Sequence, residues 1–565
     1  MLRFFVLLIS LLVLNSCNQS TAKNDVVINN SALDSAMVVS AHPLASKIGK
    51  EILLKGGNAI DAAVAVQFAL AVVHPSAGNI GGGGFMVLRL ADGSSYSLDY
   101  RETAPDKATS NMYLDKLGNV VEGLSLNGSL AVGVPGTVDG MCEAHQKFGL
   151  LSWQELVQPA VALAENGFLL TQLEAEGLNY YNTKKAKFNS VEPQFFTKKK
   201  WQFGDTLFLK DLAHTLTLIR DHKRAGFYHG ETANKIVDEM NRSSGLISFE
   251  DLVNYKSKWR DPIIGTYKDY KLISMGPPSS GGVCLMQMLK MLESYDLTAM
   301  GLHSKSAIHL MVEAEKRAFA DRSKYLGDPD FCEVPLASLL DSSYLQSRFA
   351  DFDSSKASLS STIYPGELNW NESDQTTHYS IVDSYGNAVS VTTTLNSAYG
   401  SGVVVGGAGF LLNNEMDDFS AKPGVPNLYG LIGGQANAIA PKKRMLSSMT
   451  PTILEKNGAL FMVVGTPGGS TIITGVLQTI LNVLAFNLPI DVAVSKGRFH
   501  HQWMPDEIKI ESHLFDSVVV QELRNMGHNF KYVNSMNRVD AILVNENGII
   551  EGGADPRGDD SAMGF

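Results

Sequence analysis

The chain has 565 residues and a formal net charge of −11 at pH 7. With 44% hydrophobic and 19% charged residues, its composition is that of a globular protein and excludes a disordered, coiled-coil or collagen-like chain. Because affinity for nucleic acid comes from clustered Lys and Arg, the negative charge argues against a nucleic-acid partner. At about 150 residues per domain the length favours three or four domains, although large single cores also reach this size.

The beginning of the chain has the features of an export signal. Arg3 is followed by an apolar run over residues 4–14, shorter than the roughly 20 residues that a membrane-spanning helix needs. Cys17 ends a stretch that resembles a bacterial lipobox, in which a small residue precedes a cysteine that receives a lipid. We expect a signal peptide over 1–16 and a lipidated, flexible tether over 17–36, in a periplasmic or cell-envelope lipoprotein held at the membrane by lipid only. Cleavage by an ordinary signal peptidase is the alternative.

The cysteines and histidines give no sign of a metal site. The four cysteines lie far apart, and no CxxC pair could ligate zinc or act as a redox motif. His378 and the pair His500 and His501 have no Cys or carboxylate at ligand spacing, so we expect structural roles for them. The sequence predicts neither a metal nor a cofactor.

The first globular segment predicts two helices. Residues 44–55 and 58–73 carry apolar residues at helical spacing, and the second stretch is apolar nearly all round. It should therefore be a buried helix, with Asn58 as its N-cap. Four glycines at 81–84 match neither a phosphate loop nor a dinucleotide fingerprint, and they predict close backbone packing. A β-hairpin follows over 85–100, with its turn at an Asp-Gly pair.

The middle and the last third of the chain have different patterns. Residues 150–330 are predicted to be predominantly helical, with helical stretches at 156–165, 213–221 and 304–324. The serine-rich segment 351–375 predicts an exposed, mobile loop. Beyond it the pattern indicates short strands and then an apolar helix at 471–486.

Residues 376–383 and 388–395 read as the two strands of a hairpin across a Gly/Asn turn. In the simplest register Asp383 faces Ala388, and a register shifted by one residue is the alternative. Both registers bring the two ends of the hairpin together directly after the serine-rich loop.

Two threonines meet at that end. Either register places Thr394 close to Thr376, with Asn396 nearby. A hydroxyl is a poor nucleophile until a base takes its proton, and a threonine at a chain N-terminus carries that base as its own α-amino group. Such an amine, with an ordinary pKa of about 7.7–8.0, can accept a proton near neutral pH. It exists only if the bond between Gln375 and Thr376 is cut, so the pattern suggests self-cleavage; a Thr-rich hairpin without function is the alternative.

Five ordered segments resemble the signature of the gamma-glutamyltranspeptidase family. They are residues 99–105, 376–400, 413–419, 446–451 and 465–470. The resemblance extends from about residue 37 to the C-terminus. It implies the α/β (α+β) fold of N-terminal-nucleophile hydrolases, a four-layer αββα sandwich, with added helices in the large-subunit part.

The family resemblance also implies how the chain is divided and how it reacts. A large subunit over 37–375 and a small subunit over 376–565 would form one intertwined core, a heterodimer of the chain's own fragments. Thr376 would attack first its own peptide bond and then a gamma-glutamyl amide, with Thr394 orienting its hydroxyl. The amides of Gly468 and Gly469 would form the oxyanion hole, which suits glycines at the start of a helix.

The implied substrate contacts surround the amino-acid end of a gamma-glutamyl donor. The α-carboxylate would be bound by Arg101, Ser447 and Ser448, and the α-ammonium by Asn396, Glu415 and Asp418. A planar guanidinium with paired donors suits a carboxylate. The Pro/Gly-rich segment 414–438 resembles a lid that shields the donor pocket, with Tyr429 at the shielding position.

We therefore expect a gamma-glutamyltranspeptidase that cleaves glutathione and related gamma-glutamyl amides, with water, amino acids or dipeptides as acceptors. Two alternatives remain at this point. One is a cephalosporin or glutaryl acylase of the same superfamily, whose donor lacks the α-ammonium. The other is a processed but inactive lipoprotein that only binds gamma-glutamyl compounds.

Overall fold

The computed structural model describes residues 36–193, 198–365, 377–422 and 435–565. In chain order the helices are α1 Pro43–Leu54, α2 Ala59–Val73, α3 Thr137–Phe148, α4 Trp153–Asn166, α5 Gln172–Lys184, α6 Lys210–His222, α7 Ala225–Tyr228, α8 Gly230–Ser243, α9 Phe249–Asn254, α10 Gly281–Leu292, α11 Leu297–Met300, α12 Lys305–Tyr325, α13 Leu336–Leu339, α14 Ser342–Phe349, α15 Thr471–Leu484, α16 Ile490–Ser495 and α17 Ser517–Asn525. The strands are β1 Met37–Ser40, β2 Gly83–Arg89, β3 Ser95–Asp99, β4 Phe168–Leu169, β5 Thr206–Leu207, β6 Lys258–Arg260, β7 Ile263–Tyr267, β8 Tyr270–Ser274, β9 Thr377–Val382, β10 Ala388–Thr394, β11 Thr452–Lys456, β12 Ala459–Gly465, β13 Phe499–His500, β14 Ile508–Glu511, β15 Phe530–Val533, β16 Asp540–Val544, β17 Ile550–Gly553 and β18 Ser561–Gly564.

Two large sheets lie face to face at the centre of the protein. Within the described ranges, one has seven strands in the order β18-β1-β9-β10-β2-β3-β6, and the other has six in the order β17-β16-β12-β11-β8-β7. Successive residues of a strand point to opposite faces. Accordingly, Val38 packs with α1, α2 and α4, whereas Met37 and Val39 pack with the second sheet, α10, α12 and α15. The order helix, sheet, sheet, helix confirms the expected αββα sandwich.

The predicted N-terminal helices are confirmed. The Asn58 side chain accepts hydrogen bonds from the N–H groups of Ile60 and Asp61, and the Asp61 carboxylate accepts from the Asn58 N–H, which completes a capping box at the start of α2. Every residue of α2 is buried. The hydrophobic helix therefore anchors the first sheet from one side.

The central hairpin has the shifted register. Ala388 pairs with Val382 and Thr393 with Thr377, so the register with Asp383 opposite Ala388 is wrong by one residue. The reason is that Asp383 belongs to the turn. Its carboxylate accepts hydrogen bonds from the N–H groups of Tyr385 and Asn387, and its own N–H donates to the Asn387 carbonyl.

The glycine run at 81–84 packs as predicted. A Cβ placed on Gly82 would lie 1.9 Å from the carbonyl oxygen of Thr394, and one on Gly84 would lie 2.5 Å from that of Thr392. Only glycine allows this backbone approach. It holds the beginning of β2 against the end of β10, where Thr394 lies.

The middle of the chain is mostly helical, as expected, but in the described part of residues 150–330 five strands interrupt the helices, and the sequence did not predict them. β4 and β5 form a two-stranded sheet of their own. β6 extends the first sheet, and β7 and β8 form an edge of the second. The helical stretches predicted there correspond to α4, α6 and α12.

The serine-rich segment is exposed over much of its described part, residues 351–365, but it is fixed at two points. Ser360 and Ile363 are buried, and the Trp503 indole N–H donates to both of their carbonyls. Residues 366–376 lie outside the described residues. Among the helices that the structure describes, none combines the length and the apolar character needed to cross a membrane.

Candidate active site

The predicted substrate residues converge at one end of the first sheet. Arg101 follows the last residue of β3 by two positions, and Thr394 is the last residue of β10. Glu415 and Asp418 lie in a single 3₁₀ turn, Glu415–Asp418. All of these side chains are buried, so their charges must be matched within the protein or by a ligand.

Arg101 contacts the carboxylates directly. One guanidinium nitrogen lies 2.6 Å from a Glu415 oxygen and 3.6 Å from a Glu102 oxygen, and the other donates to Asp418. The family resemblance implies Arg101 at one end of the substrate and the acidic residues at the other. In the structure the two sets are ion-paired with each other, and the guanidinium is 1% exposed.

The cluster contains more acidic than basic groups, since three carboxylates surround one guanidinium. Burial raises the pKa of Glu102 to about 8 and raises the pKa of Glu415 well above its ordinary value, although Arg101 opposes both shifts. Neither oxygen of Glu102 has a hydrogen-bond donor from another described residue. The cluster therefore favours an additional positive charge, either as bound protons or as a cationic group of a ligand.

Thr394 and Asn396 connect to this cluster. The Thr394 hydroxyl accepts a hydrogen bond of 2.7 Å from the Asn396 N–H, and a hydrogen bond with Thr394 lowers the pKa of Glu415 against the effect of burial. The Asn396 side-chain N–H donates to the Asn414 carbonyl at 3.0 Å. Its amide oxygen has no donor among the described residues, so it is available to a ligand.

The two predicted serines directly follow the residues whose carbonyls accept hydrogen bonds from Arg101. The guanidinium donates to the carbonyls of Met445 and Leu446, each at 3.3 Å, and Ser447 and Ser448 come next in the chain. The Ser448 hydroxyl accepts a hydrogen bond of 3.0 Å from the buried Arg322. The serines and Arg101 thus lie in one buried region.

The predicted oxyanion glycines lie between β12 and α15. Within the described part of the chain, the N–H groups of Gly468 and Gly469 have no hydrogen-bond acceptor. Gly468 has φ 131°, and a Cβ there would lie 2.3 Å from the Asn537 side chain. Two unpaired amides at the start of a helix can stabilise an oxyanion.

A cavity of about 230 Å³ lies between Gly468 and the segment that follows the central hairpin. It is lined by His74, Ser76, Ala77, Asn396, Ser397, Ala398, Pro467, Gly468, Asn537 and Arg538. Asn396 therefore borders both the acidic cluster and the glycine loop. Four of the predicted site residues, Cys17, Gln375, Thr376 and Tyr429, lie outside the described residues.

Sequence reasoning missed two charged residues of this region. Glu102 is adjacent to Arg101 in the same motif, and its position was the available signal. Arg322 is buried in α12 and donates to the hydroxyls of Ser280 and Ser448. Nothing in the periodic pattern of that helix distinguishes Arg322 from a solvated arginine.

The histidines have protein partners. His378 lies between the hydroxyls of Thr392 and Ser380, at 2.9 and 3.0 Å, and burial lowers its pKa to about 3. His309, Glu313 and His528 form a group with metal-like spacing in the described residues. There the two rings hydrogen-bond each other at 2.8 Å, and Glu313 accepts from Lys316 and Arg317. Protein contacts account for this group without an ion.

Comparisons with known proteins agree with the motifs. The family model described as gamma-glutamyltranspeptidase matches residues 45–565. A glutathione hydrolase proenzyme of Escherichia coli (strain K12) is 47% identical over 94% of this chain and 92% of its own. The structure of Helicobacter pylori gamma-glutamyltranspeptidase is 49% identical, with a TM-score of 0.57, over 58% of this chain and 96% of its own. A cephalosporin acylase structure from Bacillus halodurans is 27% identical, with a TM-score of 0.85, over 95% of this chain and 96% of its own.

Proposed function

The chain belongs to the gamma-glutamyltranspeptidase family, and on that premise we propose that it cleaves the gamma-glutamyl amide of glutathione and related compounds. The gamma-glutamyl group then passes to water or to an amine acceptor. One observation carries the assignment of the donor: three buried carboxylates surround the single guanidinium of Arg101. A donor that brings both a carboxylate and an ammonium group suits this cluster better than one that brings a carboxylate alone.

Binding would exchange ion pairs. The α-carboxylate of the donor forms an ion pair with the guanidinium of Arg101. Glu415 and Asp418 are then free to pair with the α-ammonium. Because each charged group keeps an opposite charge, the exchange avoids leaving a buried charge unpaired. Asn396 supplies its side-chain oxygen to the ammonium, and Ser447 and Ser448 add donors to the carboxylate.

Thr376 performs the chemistry in this proposal. Its α-amine takes the hydroxyl proton while Oγ attacks the γ-carbonyl carbon, and the amides of Gly468 and Gly469 hold the oxyanion. The C–N bond then breaks, the proton passes to the leaving amine, and a gamma-glutamyl ester remains on Thr376. Water or an amine attacks that ester, which restores the hydroxyl.

Two observations support cleavage between Gln375 and Thr376. The ladder of the central hairpin pairs Thr377 with Thr393, so the strand β9 begins one residue after the proposed new N-terminus. The solved chain of the H. pylori relative is matched over 96% of its own length yet covers 58% of this chain. A fragment ending near residue 375 would give that relation.

The test of this function compares two adjacent threonines. Thr376→Ala is expected to leave a single uncut chain without activity. Thr377→Val is the matched control, because the Thr377 hydroxyl is buried and has no hydrogen-bond partner among the described residues, so its loss costs little. The measurements are intact mass and hydrolysis of gamma-glutamyl-p-nitroanilide. A processed and active Thr376→Ala protein would overturn the proposal.

Export and membrane attachment are the remaining parts of the proposal. The sequence supports removal of residues 1–16 and lipidation of Cys17. It also supports a lid over the donor pocket, in which Tyr429 shields the bound donor. Intact mass of the protein purified from its membranes reports lipidation and processing together. An unmodified Cys17 in the mature protein would refute the anchor and leave the enzymatic assignment intact.

Two alternative functions, an acylase and a pure binding protein, would give different experimental results. An acylase is favoured by the high structural similarity to the cephalosporin acylase of Bacillus halodurans, but the acidic surplus around Arg101 favours an amino-acid donor. A pure binding protein needs no oxyanion hole. A glutamine-analogue electrophile should label Thr376 of an enzyme and leave a binding protein unlabelled.

A further inference from the structure

The cavity beside the glycine loop has a basic wall that the gamma-glutamyl end of the substrate does not use. Arg538 lines this cavity together with Gly468 and Asn396. Arg101, in contrast, lies in the buried acidic cluster and is not part of the cavity lining. The glycine amides therefore have a second arginine near them, on the side of the accessible cavity.

Arg538 belongs to a segment that is hydrogen-bonded to the glycine loop. Its N–H donates to the Thr466 hydroxyl at 3.1 Å, and the side chain of the preceding residue, Asn537, donates to the Pro467 carbonyl at 2.8 Å and to the Thr471 hydroxyl at 3.0 Å. These three contacts bind the arginine segment to both ends of the glycine loop. A group bound by Arg538 would therefore have a defined position relative to the oxyanion hole.

Contacts with His74 and Gly558 fix the orientation of the Arg538 side chain. Its guanidinium donates to the His74 ring nitrogen Nε2 at 3.0 Å, which requires a neutral imidazole, and burial keeps the pKa of His74 well below its ordinary value. A Cβ on Gly558 would lie 2.4 Å from the guanidinium, so glycine at this position leaves the room that the arginine needs. The orientation is thus set by packing as well as by hydrogen bonds.

The charge of Arg538 is only loosely matched within the protein. Its one ion pair among the described residues joins it to Asp560 at 3.7 Å, which is longer than a hydrogen bond. Burial raises the pKa of Asp560 to about 6 and that of the neighbouring Asp540 well above its ordinary value. The Arg538 side chain is 22% exposed, so it can reach a ligand in the cavity.

We propose that this cavity is the subsite for the leaving amine and the acceptor, and that Arg538 binds the free carboxylate of an amino-acid or dipeptide acceptor. The inference rests on the proposed transferase function. In the transfer step the neutral acceptor nitrogen attacks the ester carbonyl carbon on Thr376, a C–N bond forms and the C–Oγ bond breaks. The amine proton passes through the Thr376 α-amine to Oγ.

The test measures how the enzyme distinguishes two acceptors that differ only in the carboxylate. Glycylglycine carries it and glycylglycinamide does not, and the donor is gamma-glutamyl-p-nitroanilide. In the wild type we expect KM for glycylglycine to be about tenfold lower than KM for the amide, as one charge-assisted hydrogen bond predicts. In Arg538→Gln the two KM values should become equal, and Arg538→Lys should be intermediate.

Arg220→Gln is the matched control, because Arg220 lies on the surface of α6 and pairs with the adjacent Asp221. It should keep the wild-type preference for glycylglycine. An Arg538→Gln protein that retains this preference, or that raises both KM values by the same factor, would overturn the inference. If the wild type does not hydrolyse the donor at all, the proposed function fails instead, which is a distinguishable result.

Discussion

Two arginines border the candidate active site, and they differ in how fully the protein neutralises them. Arg101 is buried and touches three carboxylates. Arg538 is partly exposed and has one long ion pair, to Asp560. A guanidinium that is already paired can accept a ligand carboxylate only if the ligand also supplies a cation for the displaced acids. A loosely paired guanidinium can bind a carboxylate alone, so the comparison predicts zwitterion recognition at the first site and carboxylate recognition at the second.

The largest expected effect comes from Arg101. Arg101→Gln removes the cation that all three carboxylates share, and breaking a buried ion pair costs about 3–5 kcal/mol. We expect kcat/KM for gamma-glutamyl-p-nitroanilide to fall about 100- to 1000-fold. Arg538→Gln should lower the same constant by less than about tenfold, because its partner is Asp560 at the longer distance.

Thermal unfolding monitored by circular dichroism is the control for the Arg101 variants. Arg101→Lys keeps the charge without the paired donors, so it should fold more readily and still lose activity. A folded Arg101→Gln enzyme whose kcat/KM stays within threefold of the wild type would contradict the distinction between the two arginines.

A smaller effect is expected when a carboxylate that binds the α-ammonium group of the donor is removed. Asp418→Asn should reduce the preference for a gamma-glutamyl anilide over a glutaryl anilide by about tenfold, since the glutaryl group has no ammonium. Asp417→Asn is the matched control, because the Asp417 carboxylate accepts from the Ser125 hydroxyl instead of from Arg101. Equal preferences in the Asp418→Asn and Asp417→Asn enzymes would favour the acylase alternative.

The last prediction concerns the dependence of stability on pH. The pKa of Glu102 is raised to about 8 by burial, so the folded protein binds a proton there that the unfolded chain releases at about pH 4.3. Between these values stability should fall as pH rises, by at most about 1.4 kcal/mol per pH unit. Glu102→Gln removes this dependence, and the difference in Tm between Glu102→Gln and the wild type should grow from pH 5 to pH 8. A constant difference across that range would show that Glu102 is ionised throughout.

Local patterns predicted the elements that depend on local chemistry. The buried helix α2 follows from its apolar residues and from the Asn58 cap, and the glycine run follows from the backbone approach that it permits. The central hairpin was predicted together with its threonines. Its register was not, because Asp383 uses its carboxylate to close the turn and leaves the strand.

Long-range contacts could not be read from the sequence. Arg101 and Asp418 are separated by 317 positions, and their direct contact depends on how β3 and the 3₁₀ turn meet. Arg538 belongs to no recognised motif, and its role follows from the cavity that four distant segments form. Motifs identified the residue types of the donor site, and the fold determines which charges neutralise one another.

The first strand has a consequence for the cleaved protein. β1 lies between β18 and β9, with Met37 paired to Gly564 on one side and to Val382 on the other. A cut after residue 375 would leave β1 on one fragment and both of its neighbours on the other. The two products would then be interlocked by a shared sheet, so they could part only by breaking two ladders of hydrogen bonds. Dissociation and unfolding would be a single event, and dilution alone would not separate the fragments.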